Sequence, residues 1–292
     1  MEKTLEKRNP RKKQSQLREV WRRLLKNKVA VVSVFVIVFM VLVAIFAPFI
    51  APYHYAKQDN KHPLEGPSKE HILGTDKVGR DVFSRLVYGA RQSLQMGFTA
   101  VIGAAVLGII IGAIAGYYGG WLDNLIMRLL DIYQGIPMFL LTITLAAVLG
   151  PSLQNAILAV GISLIPGNAR FMRACILTVR EMEYIEAAKS INCSSVRIIM
   201  SHIIPNAIPP MIVSVTMGLG FAVLAGAGLS FVGLGAQPPS AEWGAMISEA
   251  RTFIRAQPQL ALYPGLCIMI SVLAFNLFGD GLRDALDPRL KT

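Results

Sequence analysis

The chain has 292 residues, of which 53% are hydrophobic and only 16% are charged, and its formal net charge is +11. Because a soluble domain has about 25% charged residues, this composition excludes an ordinary soluble fold and favours a membrane protein. The three cysteines, Cys175, Cys193 and Cys267, lack the spacing of metal ligands, so we expect them to be small packing residues.

The N-terminal segment, residues 1–28, is strongly basic. It holds 11 Lys and Arg against Glu2, Glu6 and Glu19, which gives 11 − 3 = +8. A basic tail is also typical of nucleic-acid binding, but beside a membrane span it indicates a cytoplasmic end. We therefore expect membrane lipid, and no nucleic acid, as its partner.

An amphipathic pattern follows within that segment. One helical face collects apolar residues, namely Leu17, Val20, Trp21, Leu24 and Leu25. Arginine and lysine occupy the other faces. The pattern predicts a short interfacial helix on the anionic inner leaflet, and a simple stop before the membrane is the alternative.

Long charge-free runs predict six membrane-spanning helices, since about 20 apolar residues cross the hydrocarbon core. We place them near 29–51, 93–117, 125–149, 154–177, 208–234 and 258–279. The first is too long for a cleaved signal peptide, so it is a retained anchor. From a cytoplasmic N-terminus, six spans return the C-terminus to the cytoplasm. The divisions are an N-terminal segment (1–28), an anchor (29–51), an external loop (52–91), a five-helix core (92–282) and a tail (283–292).

The external loop carries turn and cap signals. Gly74 and Gly79 can adopt positive φ, and Asp76 and Asp81 can cap helix N-termini. A structural cap and turn is the simpler interpretation, and a ligand site is the alternative. The loop also holds three scattered histidines, and we do not expect them to bind a metal.

Glycines at small-residue spacing predict close helix packing. Gly108, Gly112 and Gly116 lie on the second span, and the fifth span carries a further set, Gly218, Gly220, Gly226 and Gly228. Pro166-Gly167 interrupts the fourth span, either as a pore-lining kink or as a packing kink.

Several chemistries have no motif in this sequence. There is no G-x-x-x-x-G-K-[ST] phosphate loop, no G-x-S-x-G elbow and no H-E-x-x-H, so we expect no ATP hydrolysis and no catalysis by this chain. Few ionisable residues fall deep in a predicted span, which argues against a self-powered carrier. Asp131, Arg170 and Arg173 lie near predicted span ends, where pairing or snorkelling is expected.

The segment 180–206 is polar and helix-forming, and it lies between two apolar spans. Small Ala187 and Ala188 predict a flat face that another protein can approach. Asn192 can adopt the left-handed conformation that ends a helix, and Pro205 marks the entry to the next span. An ordinary surface helix–turn–helix is the alternative.

These residues resemble a known pattern. Glu186-Ala187-Ala188, the turn residue Asn192 and Pro205 are similar to the EAA loop of ABC-importer permeases, although the family usually has glycine where Asn192 stands. Further segments resemble the C-type permeases of dipeptide, oligopeptide and nickel importers, namely 74–85, 229–239 and 274–288.

The resemblance implies an all-α membrane protein with six transmembrane helices, a type I ABC-importer permease fold and a cytoplasmic coupling-helix loop. It implies half of a translocation path, completed by a B-type permease in the bacterial or archaeal inner membrane. Two cytoplasmic ATPase subunits would bind ATP and Mg, and this chain would hold no cofactor. An external binding protein would deliver the substrate.

The resemblance also implies roles for individual residues. Those expected to dock the ATPase are Glu186, Ala187, Ala188, Asn192 and Pro205. Those expected at the external mouth or at the binding protein are Asp76, Arg80 and Asp81. The expected substrate is a di- or oligopeptide, with nickel or a metal chelate and glutathione as alternatives. A passive channel, a secondary carrier and a non-transporting scaffold are functions of other classes.

Overall fold

The computed structural model describes residues 16–286, and the regular secondary structure of this part of the chain is helical apart from one isolated β-bridge between Thr75 and Asp81. The helices are α1 (Gln16–Lys26), α2 (Lys28–Ile45), α3 (Ala47–Ile50), α4 (Val82–Tyr118), α5 (Gly120–Gln134), α6 (Met138–Leu149), α7 (Leu153–Arg180), α8 (Glu183–Ser190), α9 (Ser195–Ile198), α10 (Ile204–Phe231), α11 (Trp243–Ala250) and α12 (Gln259–Leu286). A π-helical turn, Ile199–Ile203, joins α9 to α10. The prediction of an all-α fold is confirmed.

Helix α4 is the axis of the bundle, and its glycines set the packing. Gly108 lies against Asn168 and Gly116 against Ile176, so α4 and α7 run parallel. A Cβ at Gly112 would lie 2.4 Å from the carbonyl oxygen of Ala169, which no side chain could occupy. The predicted close packing of this glycine series is confirmed.

The bundle has two ends, which we name after the short helices found there. The α11 end holds the start of α4, and the α8 end holds the start of α8 and the C-terminus of α4. Arg180, just before α8, holds the C-terminus of α4 at the α8 end, since its Nη1 donates to the carbonyls of Gly116 (3.0 Å) and Tyr117 (2.9 Å). The 37 residues of α4 make a helix about 55 Å long, so the two ends are far apart.

Within residues 16–286, four helices are long and apolar enough to cross a membrane, namely α2, α4, the continuous helix Ser195–Phe231 and α12. The pair α5–α6 adds a fifth span if it is counted as one, but its two helices meet at 83°. The predicted continuous helix over 125–149 is therefore wrong. Pro137 lacks an N–H and disfavours a helical residue before it, so the chain bends at Gly135–Pro137. Helix α7 is long enough but is less apolar than these spans and is not counted among them. The count of six spans therefore stays a prediction.

Two other boundaries differ from expectation. Helix α4 begins at Val82 and not near residue 93, so part of the predicted external loop is helical. Helix α7 continues through Pro166, which is buried inside it, so the chain stays helical across the predicted interruption. The choice between a pore-lining kink and a packing kink stays a prediction. Neighbouring helices pack around such a proline and hold the helix together.

Helix α1 confirms the helical part of the N-terminal prediction. Val20 and Leu24 pack in one apolar cluster with Phe278 and Ala285 of α12, whereas Trp21 is exposed. The apolar face is thus shared between the bundle and its surroundings. Contact with the lipid surface stays a prediction, and residues 1–15 lie outside the described residues.

Candidate docking surface and buried ionic network

Helix α8 ends in a hydrogen-bonded turn that needs a left-handed residue. Asn192 has φ +58°, and its N–H donates to Lys189 O at 2.9 Å. The N–H of Cys193 donates to Ala188 O at 3.1 Å. This pair of bonds is the Schellman arrangement, so the predicted conformation of Asn192 is confirmed.

The two faces of α8 have different surroundings. Ile185 and Ala188 are buried in an apolar cluster with Ile176 of α7 and Ile203 of the π-helical turn. Glu186 and Ala187, by contrast, are exposed. The expectation that Ala188 forms part of a flat external face is wrong, because it is only 7% exposed and seats α8 on the bundle.

Large apolar side chains are exposed along the same segment. Tyr184, Ile191, Val196 and Met200 are 44%, 76%, 67% and 61% exposed. We name the docking surface as these four residues with Glu186 and Ala187. The apolar members of this surface were not predicted from the sequence. They alternate along the segment with the apolar residues that pack against the bundle, and this alternation could have indicated them. Pro205 is exposed in the first turn of α10, close in sequence to this surface.

At the α11 end, the segment before α4 is a tight structure. Gly74 and Gly79 have φ +80° and +74°, as predicted. A Cβ at Gly79 would lie 1.8 Å from the carbonyl oxygen of Asp59. Asp81 caps α4 by accepting from Ser84 N at 2.7 Å and lies 2.9 Å from His71 Nδ1. Its predicted capping role is confirmed.

Asp76 does not cap a helix, which corrects the second capping prediction. Its Oδ1 accepts from the N–H groups of Val78 and Arg80, each at 3.0 Å, and closes a turn. Its Oδ2 lies 2.6 Å from Arg80 Nε and 3.5 Å from Arg85 Nε. The carboxylate therefore serves a turn and two arginines at once.

Glu249 of α11 completes a buried ionic network. Its Oε2 accepts from Arg80 Nη2 at 2.5 Å and from Arg85 Nη2 at 3.1 Å. Arg80 and Arg85 are 2% and 1% exposed. Two arginines and two carboxylates balance, as buried charges require.

This burial corrects one interpretation of the predicted external site. Asp76, Arg80 and Asp81 are all buried, so direct contact of these side chains with a binding protein is wrong for this arrangement. They organise the backbone and the α4–α11 contact instead. The pairing of Arg85 with Glu249 was not predicted, because the two residues are 164 positions apart and no local pattern connects them.

A further buried carboxylate, outside the ionic network, lies at the N-terminus of α11. Glu242 caps α11 by accepting from Ala245 N at 2.9 Å, and Ser93 of α4 donates to it at 3.1 Å. The side chain is fully buried, and this burial raises the pKa of Glu242. The cap thus joins α11 to α4 through a hydrogen bond.

The charged residues near predicted span ends are paired between α5 and α7. Arg173 donates from Nε and Nη2 to the two carboxylate oxygens of Asp123, each at 2.5 Å. Arg170 pairs with Asp131. The expectation of pairing is confirmed, and it holds the bent α5 against α7.

Comparison with known proteins gives consistent matches. Residues 108–292 match the model of the family described as binding-protein-dependent transport system inner membrane component. Residues 15–67 match the N-terminal TM domain of oligopeptide transport permease C.

Curated relatives cover almost the whole chain. A dipeptide transport system permease protein DppC from Alkalihalophilus pseudofirmus is 50% identical over 94% of this chain and 90% of its own length. Glutathione transport system permease proteins GsiD from Pectobacterium atrosepticum and Escherichia coli are 42% and 45% identical over 94% of this chain, and over 92% and 90% of their own lengths.

Solved structures share the fold. An inward-facing MetNI methionine ABC transporter aligns with a TM-score of 0.58 at 20% identity, covering 70% of this chain and 97% of that chain. An amino acid ABC transporter aligns with a TM-score of 0.53 at 16% identity, covering 68% and 92%.

Proposed function

The chain belongs to the binding-protein-dependent transport system inner membrane components, as a C-type permease of ABC importers, and from this premise we propose that it forms half of a translocation path for dipeptides or oligopeptides. The peptide substrate rests on its similarity to a dipeptide permease. A related B-type permease would supply the other half of the path.

The docking surface carries the proposal that the transport is driven by partner ATPases. Exposed Glu186 and Ala187 lie on a short helix whose opposite face is anchored in the bundle by Ile185 and Ala188. Because its buried face packs into the bundle, α8 can transmit a movement of the ATPases to the spans without detaching from them. ATP and Mg would bind to the ATPase subunits, and this chain would be non-catalytic.

The orientation follows from charge. Val20 and Leu24 of α1 share an apolar cluster with Phe278 and Ala285 near the end of α12, and the basic segment 1–28 includes α1. The positive-inside rule favours the cytoplasm for this side. We propose that α8 and both termini are cytoplasmic, so that the α11 end faces the binding protein outside.

Reconstitution tests the proposal directly. The chain, a B-type permease, the ATPases and the binding protein are placed in vesicles, and uptake of a labelled dipeptide is measured with and without Mg-ATP. ATP-dependent uptake is expected, and uptake that ignores ATP would favour a channel or a secondary carrier. Glu186→Lys should abolish uptake by placing the wrong charge at the ATPase contact. Glu70→Gln, an exposed change in the 52–81 segment, is the control.

Glutathione is the second candidate substrate, because relatives named as glutathione permeases cover 94% of the chain. Glutathione is itself a small peptide, so one path could accept both. Unlabelled glutathione in excess should suppress dipeptide uptake if the two share the path. Dipeptide uptake that is unchanged by this excess of glutathione would restrict the substrate to dipeptides and oligopeptides.

A further inference from the structure

Helix α11 is attached to the start of α4 at two separate places. At its N-terminal end, Trp243 Nε1 donates to Leu86 O at 3.1 Å, and Trp243 N donates to Ser93 Oγ at 3.2 Å. A Cβ at Gly89 would lie 2.5 Å from Ala241 O. The two backbones are therefore in direct contact along the first turns of α4.

At its C-terminal end, α11 is held by charge. Glu249 is shared by Arg80 and Arg85, and both arginines also reach Asp76. Arg85 further donates to the carbonyls of Pro239 (3.4 Å) and Ser240 (3.2 Å), just before α11. We call the four charged residues the ionic joint.

Separation of the ionic joint would be costly. If α11 moved away from α4, the buried Arg80 and Arg85 would keep only Asp76 as a carboxylate partner, and one positive charge would be left uncompensated. The ion pairs of the joint are short, since Glu249 lies 2.5 Å from Arg80 Nη2 and 3.1 Å from Arg85 Nη2. A hinge at this position would need water or a new anion to replace the carboxylate.

We propose that Glu249 is a positioning residue that fixes α11 to the first turn of α4, so that α11 and α4 move as one body during transport. This inference rests on the proposed function. It adds a mechanical role for α4, because Arg180 of α7 bonds to the opposite end of this helix, at the α8 end. Movement of α4 at the docking side is then delivered to α11 without a hinge between them.

A cross-link tests whether the two parts ever separate. Lys77 and Phe253 line one small cavity at the ionic joint, of about 20 Å³, and neither is a member of the joint. In a chain whose three native cysteines are replaced, Lys77→Cys and Phe253→Cys are joined by a short bis-methanethiosulfonate reagent. Each single variant, treated in the same way, is the control.

The expected result is complete cross-linking by mass and uptake equal to that of the reduced double variant. Uptake that is lost on cross-linking and restored by reductant would overturn the proposal, because α11 would then have to leave α4 during the cycle. Failure of the two cysteines to join would overturn it as well, since they would not face each other.

Charge substitution tests the residue itself. Glu249→Gln should lower the maximal uptake rate at least about tenfold, as expected when buried cations lose a partner, while the ATPases still co-purify. Glu249→Asp should recover part of the rate, which a purely steric role would not produce. Asp284→Asn is the matched control, because this carboxylate is exposed near the end of α12. Normal uptake by Glu249→Gln would contradict the assignment.

Wild-type uptake distinguishes failure of the proposed function from failure of the ionic joint. If wild-type vesicles show no ATP-dependent peptide uptake, the proposed function fails. If wild-type vesicles transport and the cross-linked variant does not, only the joint fails.

Discussion

The docking surface and the ionic joint use similar charged residues in opposite ways. At the docking surface, Glu186 is exposed beside exposed apolar side chains such as Ile191. In the ionic joint, Glu249 is enclosed by two arginines that are almost fully buried. The carboxylate of the docking surface is accessible to another protein, whereas the carboxylate of the joint is already paired within the chain.

The difference teaches where each kind of defect should appear. Loss of a buried partner leaves an unpaired charge, so the free energy of unfolding should fall. A change on the exposed face alters a contact that exists only in the assembled complex, so stability of the chain should be preserved. The following predictions separate the two regions on this basis.

Arg85→Met should cause the largest loss of stability. It leaves Glu249 and Asp76 with Arg80 alone, and removal of one member of a buried ion pair costs about 3–5 kcal/mol. The measurement is thermal unfolding of the purified chain in mild detergent. Arg91→Met, an exposed arginine on the same helix, is the control. Equal melting temperatures for the two variants would show that the joint contributes no stability.

Ile185→Lys and Glu186→Lys compare adjacent residues on the two faces of α8. The first buries a charge in the apolar cluster, which is strongly unfavourable, and should expose the 183–203 segment to protease. The second should leave protease sensitivity unchanged and still abolish ATP-driven uptake. Similar proteolysis of both variants would mean that α8 has no distinct buried face.

Asn192→Ala should weaken the end of α8. A left-handed conformation costs an ordinary L-residue about 1–2 kcal/mol, and Asn192 sits at φ +58°. Asn192→Gly should keep or improve the turn and is the matched control. Hydrogen exchange of the α8 amides is the measurement, and equal exchange in the two variants would contradict this account of the turn.

Much of this could be predicted from sequence, because the signals are local. Asn192, Gly74, Gly79 and the cap Asp81 are set by backbone conformations that few residues tolerate. The glycine series on α4 likewise predicts close packing without further information. Such features depend on residues only a few positions apart.

The rest depends on contacts that no local pattern encodes. Glu249 meets Arg80 and Arg85 only after α10 has returned to the α11 end. Ala188 faces inward because α8 docks on Ile176 and Ile203, a choice that the sequence Glu186-Ala187-Ala188 leaves open. The effect of proline on the preceding residue predicts the bend at Pro137. It was not predicted because the surrounding residues form one continuous apolar run.

The smallest expected effect concerns pH and Glu242. Burial raises the pKa of Glu242 in the folded state, so the folded chain binds this proton more tightly than the unfolded chain. Its contribution to stability is present below the unfolded pKa and declines as pH rises through the folded value. Glu242→Gln should remove this decline, as melting temperatures at acidic and alkaline pH would show. An identical pH dependence in both proteins would contradict it.

The most direct test of the docking surface is co-purification of the complex in mild detergent. A tagged chain with Tyr184, Glu186 and Ala187 all changed to Lys is compared with wild type and with Glu70→Gln, and ATPase activity is measured in each eluate. We predict that the B-type permease is recovered with all three, while the ATPases and their activity are lost from the triple variant alone. Recovery of the ATPases with a folded triple variant would contradict the assignment of this surface.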